Sequence, residues 1–312
     1  MPSNSALSDP SPVRLQKFPS RLNQFWRDYG WAYLFILIPV LLFLVFTLYP
    51  VVTAFLMSFQ KYKILGSDWV GLANYKYMFQ DEVFWKSIRN TVIFTIGTVP
   101  VNIAIPFMLT FFIFQLRNRW QTFFKTVLYL PAVASGVTIS LVWLAFFDPT
   151  PSGMLNQFLG LLGIDPVIWL GQSNTALFSL MLMTYLGAHG SGIILYLAAM
   201  GGIPKSLYEA ADIDHASRWA KFTKITWPLL KPTTLYLLVM GVITSFQVFI
   251  SVYLMTQGGP NFATATTAYL IYETAFVFND FGLASAQSFV LAAMIIVTSV
   301  LQFKYFSTDI EY

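Results

Sequence analysis

Long apolar runs alternate with short polar segments along this chain, and the runs have the length of membrane-crossing helices. An α-helix needs about 20 apolar residues to cross the hydrocarbon of a bilayer. Six runs reach that length: Trp31 to Phe59, Thr91 to Gln115, Thr126 to Phe147, Ala176 to Met200, Thr233 to Met255 and Leu283 to Phe303. The pattern predicts an all-α, polytopic membrane protein with six transmembrane helices.

The amino-acid composition also indicates a membrane protein. Of the 312 residues, 56% are hydrophobic and 10% are charged, whereas a soluble domain has about 25% charged residues. The chain contains no cysteine, which excludes disulfides, thiolate zinc sites and cysteine nucleophiles. The basic residues lie at the ends of the apolar runs, so phospholipid explains them better than nucleic acid does.

Lysine and arginine predict the orientation, because positively charged loops resist translocation. Of the 18 basic residues, 13 lie on the side of the N-terminal tail: Arg14, Lys17, Arg21, Arg27, Arg117, Arg119, Lys125, Lys205, Arg218, Lys221, Lys224, Lys231 and Lys304. Both termini and the loop at 201–231 are therefore expected in the cytoplasm. Residues 1–30 are predicted to be a polar, partly disordered tail, and residues 31–312 a single membrane domain.

The predicted spans contain no acidic and no basic side chain. Ion-coupled carriers usually need ionisable groups at that depth, and a charged solute would need a counter-charge there. The expected cargo is therefore neutral and rich in hydroxyl groups. His189 is the one imidazole near the predicted membrane centre, where it is either a proton site, a hydrogen-bonded structural residue or a neutral residue lining a cavity.

Polar residues recur at helical spacing in two of the spans. One set lies on a predicted face of the fourth span and another on a face of the fifth: Thr184, Ala188 and Ser191, and Thr244, Gln247 and Ser251. They are expected either to line one cavity or to hydrogen-bond neighbouring helices. Gln247 is the strongest candidate for a cavity, because an amide is costlier than a hydroxyl in hydrocarbon.

A polar island, "YEAADIDHASRW", separates the fourth and fifth spans. Ser206 followed three positions later by Glu209 forms a capping-box pattern after Pro204, which predicts a helix that starts at Leu207. Leu207, Ala210 and Ala211 lie on one predicted helix face. A second amphipathic helix is predicted from three further apolar positions that precede Pro228: Trp219, Phe222 and Ile225.

The island allows two interpretations. In the first, Glu209 only caps its own helix, and the loop lies among lipid headgroups. In the second, the paired alanines let the helix enter a groove of another protein, where the Glu209 carboxylate meets an arginine or lysine. The small residues favour the second interpretation.

Several segments of the chain resemble one known family. "EAADIDHA" followed by "ITWPLLKPT" resembles the EAA loop of ABC importer permeases. "WVGLANYKYMFQDEVFWKSIRNT" resembles the external segment of sugar-importer permeases of the maltose-porter type. "MTQGGPNFATATTAYLIYETAF" and "FGLASAQSFVLA" resemble the last external loop and final span of those permeases. Together these segments cover most of 69–303.

The resemblance implies the type I ABC importer permease fold, in the plasma (inner) membrane of a prokaryote. It implies a second homologous permease, two ABC ATPase subunits that bind ATP-Mg, an external solute-binding protein and a sugar-like cargo. The implied ATPase-coupling residues are Leu207, Glu209, Ala210, Ala211, Asp214 and His215. The implied substrate-binding residues are Thr184, Gly187, Ser191, Phe246 and Gln247.

One coupling position departs from the family pattern, which has glycine where this chain has His215. Glycine there supplies a left-handed bend between two short helices. Histidine is among the few other residues enriched in that conformation, so the bend is expected to persist.

The residues predict no catalytic activity, no metal site and no cofactor of the chain's own. The sequence has no G-x-x-x-x-G-K-[ST] phosphate loop and no ligand-spaced histidine pair, so any ATP is expected to be hydrolysed by another chain. Two alternatives to a sugar-importer permease stay open. One is a stand-alone secondary carrier or channel, and the other is an ABC permease for another solute, such as glycerol phosphate, a phosphodiester or a peptide.

Overall fold

The computed structural model describes residues 21–63, 66–187 and 189–306, so the predicted tail up to residue 20 lies outside the described residues. The chain divides into two compact units, Met1–Thr53 and Ala54–Tyr312. The described part of each unit is mainly helical.

The first unit contains one helical run. Helix α1 (Arg21–Phe43) leads into a π-helical segment (Leu44–Leu48) and helix α2 (Tyr49–Met57), which continues into the second unit. Helix α1 therefore begins ahead of Trp31, where the apolar run predicts the first span to start.

The second unit continues with a small hairpin and a set of helices. Strands β1 (Gln60–Lys63) and β2 (Gly66–Trp69) pair antiparallel. The α-helices that follow are α3 (Ala73–Gln80), α4 (Glu82–Phe114), α5 (Asn118–Val133), α6 (Gly136–Phe146), α7 (Met154–Leu161), α8 (Ala176–Tyr185), α9 (Gly190–Gly201), α10 (Lys205–Ile213), α11 (Arg218–Lys221), α12 (Trp227–Phe246), α13 (Ile250–Met255), α14 (Thr267–Tyr272) and α15 (Phe281–Phe306). Two π-helical segments, Phe222–Thr226 and Glu273–Val277, lie within this series.

Within the described residues, four helical runs are long and apolar enough to cross a membrane: Tyr29–Met57, Glu82–Phe114, Arg218–Met255 and Phe281–Phe306. Two helix pairs reach that length only across a bend, α5 with α6 at 93° and α8 with α9 at 42°. The six predicted spans therefore correspond to four runs and two bent pairs in the described chain. The count of six holds only if each bent pair makes one crossing.

The bend between α5 and α6 has a local cause that hydropathy does not register. Ala134 has extended backbone angles (φ −69°, ψ 144°), which end α5. Ser135 then caps α6, because its hydroxyl accepts a hydrogen bond from the backbone N–H of Thr138 at 3.1 Å. A serine N-cap fixes a helix start, so the predicted continuous third span was wrong.

The predicted fourth and fifth spans are also interrupted. Helix α8 ends at Tyr185 and α9 begins at Gly190, while α12 ends at Phe246 and α13 begins at Ile250. Each predicted polar face therefore draws its residues from two helices or from the break between them, and the prediction of one continuous face per span was wrong. Ala188, a member of the first face, lies outside the described residues.

Helix α4 is central to the second unit, where it packs against α8, α9 and α12. Helices α5 and α9 approach so closely that a Cβ added to Gly190 would lie 2.4 Å from the Cα of Tyr129. Small residues permit such approaches in membranes, where packing replaces the hydrophobic effect as the driving force. The buried core beside α4 includes Phe94, Leu180 and Val252.

Candidate functional site

Helix α10 carries most of the predicted coupling residues, and its start differs from the prediction. The helix begins at Lys205 with Pro204 at the N-cap, and no side chain caps it. The predicted Ser206–Glu209 capping box and the start at Leu207 were therefore wrong. Pro204 has a non-helical ψ of 128° and stands just outside the helix, so the helix begins directly after it and Glu209, five positions further on, falls beyond the capping turn.

A tight connection joins α10 to α11. Asp214 ends α10, and His215 follows with φ +51°, the left-handed conformation that the sequence predicts. Ser217 then caps α11 by accepting a hydrogen bond from the Ala220 N–H at 3.1 Å. An ion pair between Lys221 and Asp212 closes the connection. These contacts fix the direction in which α10 leaves the bundle.

The surface of this segment is apolar and exposed. Leu207 is 42% exposed, Ile213 79% and Trp219 72%. Ala210 and Glu209 are exposed as well, and Glu209 makes no hydrogen bond or ion pair with the described residues. We name Leu207, Glu209, Ala210, Ile213 and Trp219 the coupling surface. An apolar patch around an unpaired carboxylate is typical of a docking site.

Aromatic contacts connect the coupling surface to the bundle. Trp219 stacks on Phe222 with ring centroids 5.5 Å apart. Phe222 meets Phe107 of α4 at 6.0 Å, and Phe107 meets Tyr196 of α9 at 5.4 Å. The Tyr196 hydroxyl donates to Thr234 Oγ1 of α12 at 3.1 Å. Through these contacts the segment is connected to three central helices, α4, α9 and α12.

The second predicted helix does not end before Pro228. Helix α11 continues through the π-helical segment into α12, with the Trp227 N–H donating to the carbonyl of Phe222. That bond spans five residues instead of four, and the wider turn makes room for the proline ring. The hydroxyls of Tyr208 and Thr226 also hydrogen-bond at 2.8 Å, which ties α10 to this segment.

A cavity of about 370 Å³ lies at membrane depth between α4, α6, α12 and the junction of α8 with α9. Its polar lining carries no carboxylate, lysine or arginine among the described residues. The polar and glycine residues in that lining are Asn102, Thr184, Gly187, His189, Gly192, Gly241, Thr244 and Ser245. Such a lining suits an uncharged ligand with hydroxyl groups.

The predicted substrate-binding residues separate into two groups. Thr184 and Gly187 line the cavity. Phe246 is buried in a core with Val99, Val242 and Leu291, whereas Ser191 and Gln247 are exposed and lie outside the lining. Gln247 terminates α12 at the break before α13.

His189 and Asn102 are the two residues of the cavity lining with side-chain nitrogen atoms. His189 Nε2 lies 2.8 Å from the backbone carbonyl of Tyr185 at the break between α8 and α9, so this nitrogen donates a hydrogen bond there. Asn102 was not predicted, and its buried Oδ1 has no hydrogen-bond partner in the described chain. An asparagine inside the apolar run of α4 was the signal available in the sequence, because an amide in hydrocarbon needs a partner.

The C-terminal two thirds of the chain match a known family model. Residues 111–306 match the "Binding-protein-dependent transport system inner membrane component". The chain belongs to this family. As an ABC transporter permease of the sugar-transport type, it shares the fold and the membrane-spanning helices of its relatives.

Individual relatives extend the match over most of the chain. The permease is 33% identical over 285 residues to the arabinooligosaccharides transport system permease protein AraP of Bacillus subtilis, a match that covers 89% of this chain and 91% of AraP. It is 32% identical over 289 residues to the lactose transport system permease protein LacF of Rhizobium radiobacter, a match that covers 91% of this chain and 96% of LacF.

Solved structures agree with this assignment. The permease superimposes with a TM-score of 0.81 and 25% identity on a chain of a bacterial ABC transporter involved in the import of the acidic polysaccharide alginate, covering 91% of this chain and 98% of that one. A second structure contains the alginate transporter in complex with an alginate pentasaccharide-bound periplasmic protein and gives a TM-score of 0.80.

Proposed function

We propose that this permease is one half of the translocation pathway of an ATP-driven importer for a neutral sugar or sugar-like solute. It pairs with a second, homologous permease in the plasma membrane, and two ABC ATPase subunits bind on the cytoplasmic side, where both termini lie. An external solute-binding protein delivers the cargo. The ATPase subunits hold ATP-Mg and perform the hydrolysis.

The observation that carries this proposal is the coupling surface. Leu207, Ile213 and Trp219 expose apolar area around the unpaired Glu209 carboxylate, at a place where 13 of 18 basic residues predict the cytoplasm. A groove on an ATPase subunit with an arginine or lysine at its edge would bury this area and pair the charge. The predicted coupling role of Ala210, Ala211, Asp214 and His215 belongs to the same proposal.

The aromatic contacts give the proposed mechanism. Closure of the ATPase dimer on ATP moves α10 and α11, and Trp219 and Phe222 transmit that movement to Phe107 and Tyr196. Packed aromatic groups transmit displacement because interiors are nearly incompressible. Helices α4, α9 and α12 then tilt, and the cavity changes from inward-facing to outward-facing.

The cavity supports a neutral cargo. Asn102, Thr184, Thr244 and Ser245 supply amide and hydroxyl groups, and the Oδ1 of Asn102 is available to accept a hydrogen bond from a sugar hydroxyl. Gln247 lies outside the lining of this cavity, but its exposed amide at the end of α12 is proposed to meet the cargo on its path. Ser191 and Phe246, which line no part of this cavity, are the weaker candidates.

The test begins with co-purification of the tagged permease from its native membrane and reconstitution of the complex in lipid vesicles. We expect ATPase subunits and a second permease to co-purify, and uptake of a labelled solute to require internal ATP and external binding protein. Neutral oligosaccharides are expected to compete with the labelled solute. Uptake by this chain alone, without ATP, would establish a secondary carrier instead.

One observation favours a second candidate cargo. The alginate transporter, with the same fold, imports an acidic polysaccharide, so an acidic sugar is the main alternative to a neutral one. In the same vesicles, competition by uronate oligosaccharides or by glycerol phosphate, together with failure of neutral sugars, would establish an anionic cargo.

A further inference from the structure

A second cavity, distinct from the membrane cavity, lies at the opposite end of α4 from the coupling surface. It has a volume of about 790 Å³ and is bounded by β1, α3, the start of α4, the loop at Phe262, α14 and the start of α15. Helix α4 begins beside Asp81 at this cavity, and near its other end Phe111 meets Phe222 at 6.1 Å.

The length of α4 sets the distance between the two sites. A helix rises about 1.5 Å per residue, so Asp81 and Phe111 lie roughly 45 Å apart along α4. The hydrocarbon of a bilayer is only about 30 Å thick. The cavity and the coupling surface therefore lie on opposite sides of the membrane, and a cytoplasmic coupling surface makes this cavity external.

Acceptor groups predominate in the walls of the external cavity. Three carboxylates, Asp81, Glu273 and Asp280, face one lysine, Lys61. No ion pair joins any of these four side chains to another described residue. Oδ1 of Asp81 accepts from the Val83 N–H at 2.9 Å, and Oδ1 of Asp280 accepts from the Leu283 N–H at 3.1 Å. The second oxygen of each aspartate remains open.

Two of the donors beside this cavity are already used. Both hydrogens of the Asn74 amide are donated, to the carbonyls of Ser58 and Gln60, each at 2.9 Å. The Tyr269 hydroxyl donates to Glu273 Oε1 at 3.3 Å, and burial together with the Glu273 charge raises the pKa of Tyr269 to about 12. Because three carboxylates outnumber the one lysine in the walls, this cavity favours a ligand that brings its own donors.

Gln287 gives evidence for a ligand that is independent of the carboxylates. Its side chain is 2% exposed, it lines the external cavity, and its buried Oε1 has no hydrogen-bond partner among the described residues. An orphaned buried acceptor of this kind costs about 1–3 kcal/mol, so native proteins rarely keep one without a function.

We infer that the external cavity receives an arginine side chain of the solute-binding protein when that protein docks. A guanidinium has five donors and no acceptor, which matches the surplus of carboxylates and the open Oε1 of Gln287. Exposed aromatic rings at the cavity, Tyr77, Phe262 and Phe278, provide faces on which a guanidinium stacks. Lysine lacks this planar geometry.

A bound metal ion fits the cavity less well. Among the described residues no group of three histidine, cysteine, aspartate or glutamate side chains is arranged to hold one. A neutral sugar would also leave the excess carboxylates uncompensated. The inference rests on the proposed function, because an importer of this type needs a binding protein that docks on its external face.

The test measures docking of the binding protein to the complete transporter in lipid nanodiscs. The double variant Glu273→Gln with Asp280→Asn is expected to weaken docking about tenfold, since a desolvated guanidinium loses its charged partners. Asp165→Asn is the matched control, because Asp165 is exposed on another loop and lines none of the described cavities. The control is expected to dock as wild type does.

Gln287→Met separates a ligand contact from a structural role. Removing an unpaired amide is expected to leave the thermal stability of the transporter unchanged or raised, while docking weakens about fivefold. A large loss of stability would show that Gln287 is structural and would overturn its role as a ligand contact.

Four results would overturn the inference. Docking by the double variant at wild-type affinity would exclude the cavity as the docking site. Loss of the second permease from the variant complex would assign the cavity to that subunit. Loss of wild-type docking after addition of the chelator EGTA would assign the cavity to a calcium ion. Competition for the cavity by free sugar would make it a solute site. A wild-type transporter that binds no external protein would refute the proposed function itself.

Discussion

The two ends of α4 differ in how completely the chain satisfies its own groups. At one end, the Asn90 amide donates to the carbonyls of Phe262 and Ala265 at 2.9 and 3.0 Å, and Thr91 Oγ1 accepts from the Thr267 N–H at 2.9 Å. These bonds hold the external loop at 262–267 against the start of α4. At the other end, Trp219 is largely exposed and Glu209 is unpaired. The loop at the first end is held by bonds within the chain, although the cavity beside it keeps open acceptors. At the second end, the exposed Glu209 has no such bond to the described residues.

Glu209→Lys is expected to give the largest effect, the loss of ATP-dependent uptake. The change reverses the charge that is proposed to meet a cation on the ATPase subunit. Uptake by reconstituted vesicles and stimulation of ATPase activity by loaded binding protein measure the loss. The uptake of Glu209→Gln is expected to lie between that of wild type and that of Glu209→Lys. Asp165→Lys makes the same reversal in another loop and is expected to retain coupling. Wild-type uptake by Glu209→Lys would reduce this carboxylate to a solvent-exposed group.

Asn90→Ala is expected to affect folding, not coupling. It leaves the buried carbonyl of Ala265 without a donor and the part-buried carbonyl of Phe262 with only the Ala265 N–H, and we expect the free energy of unfolding to fall by about 1–3 kcal/mol. Denaturation of the purified complex in mild detergent measures the change. Asn118→Ala removes an exposed amide at the start of α5 and is expected to change stability by less than about 0.5 kcal/mol. Equal effects of the two changes would show that the Asn90 bonds do not hold the external loop.

Trp219→Ala is expected to weaken ATPase docking about tenfold, as truncation of an interface tryptophan does, with little change in permease stability. Trp69→Ala is the matched control, because Trp69 is also exposed and stacks on a phenylalanine, Phe59, at 5.8 Å. Affinity of the purified ATPase for the permease pair in nanodiscs measures both. If the two variants lose affinity equally, Trp219 is not part of the interface.

His215→Gly is expected to give the smallest effect, below about 1 kcal/mol in stability and less than twofold in uptake. Glycine adopts the observed φ of +51° without strain. His215→Val tests the same bend from the other direction, because a β-branched residue is disfavoured there, and uptake should fall further. A valine variant as active as the glycine variant would show that the bend is not needed.

Sequence patterns predicted the features that depend on neighbouring residues. The apolar runs, the exposed island and the left-handed conformation of His215 all follow from composition or local geometry. The start of α10 at Lys205 was missed, because Pro204 begins the helix more directly than the capping box does. The bend at Ser135 carried a usable signal, an N-cap serine inside an apolar run.

Other features depend on packing between distant segments. The break after Phe246 contains no proline or glycine, so no local signal marks it. The contribution of Asn102 to the membrane cavity depends on how α4 crosses α9 and α12. Gln247 was predicted from the cost of an amide, but the break in the helix decides where its side chain lies.

The most direct test of the central claim uses the absence of native cysteine. Ala210→Cys introduces a single thiol on the coupling surface, and Lys61→Cys introduces one at the other end of the molecule. Labelling with a maleimide is compared for the permease pair with and without the ATPase subunits, in both cases without binding protein. The account predicts that ATPase subunits protect the thiol at position 210 and leave the thiol at position 61 reactive. Equal labelling at position 210 with and without the ATPase subunits would contradict it.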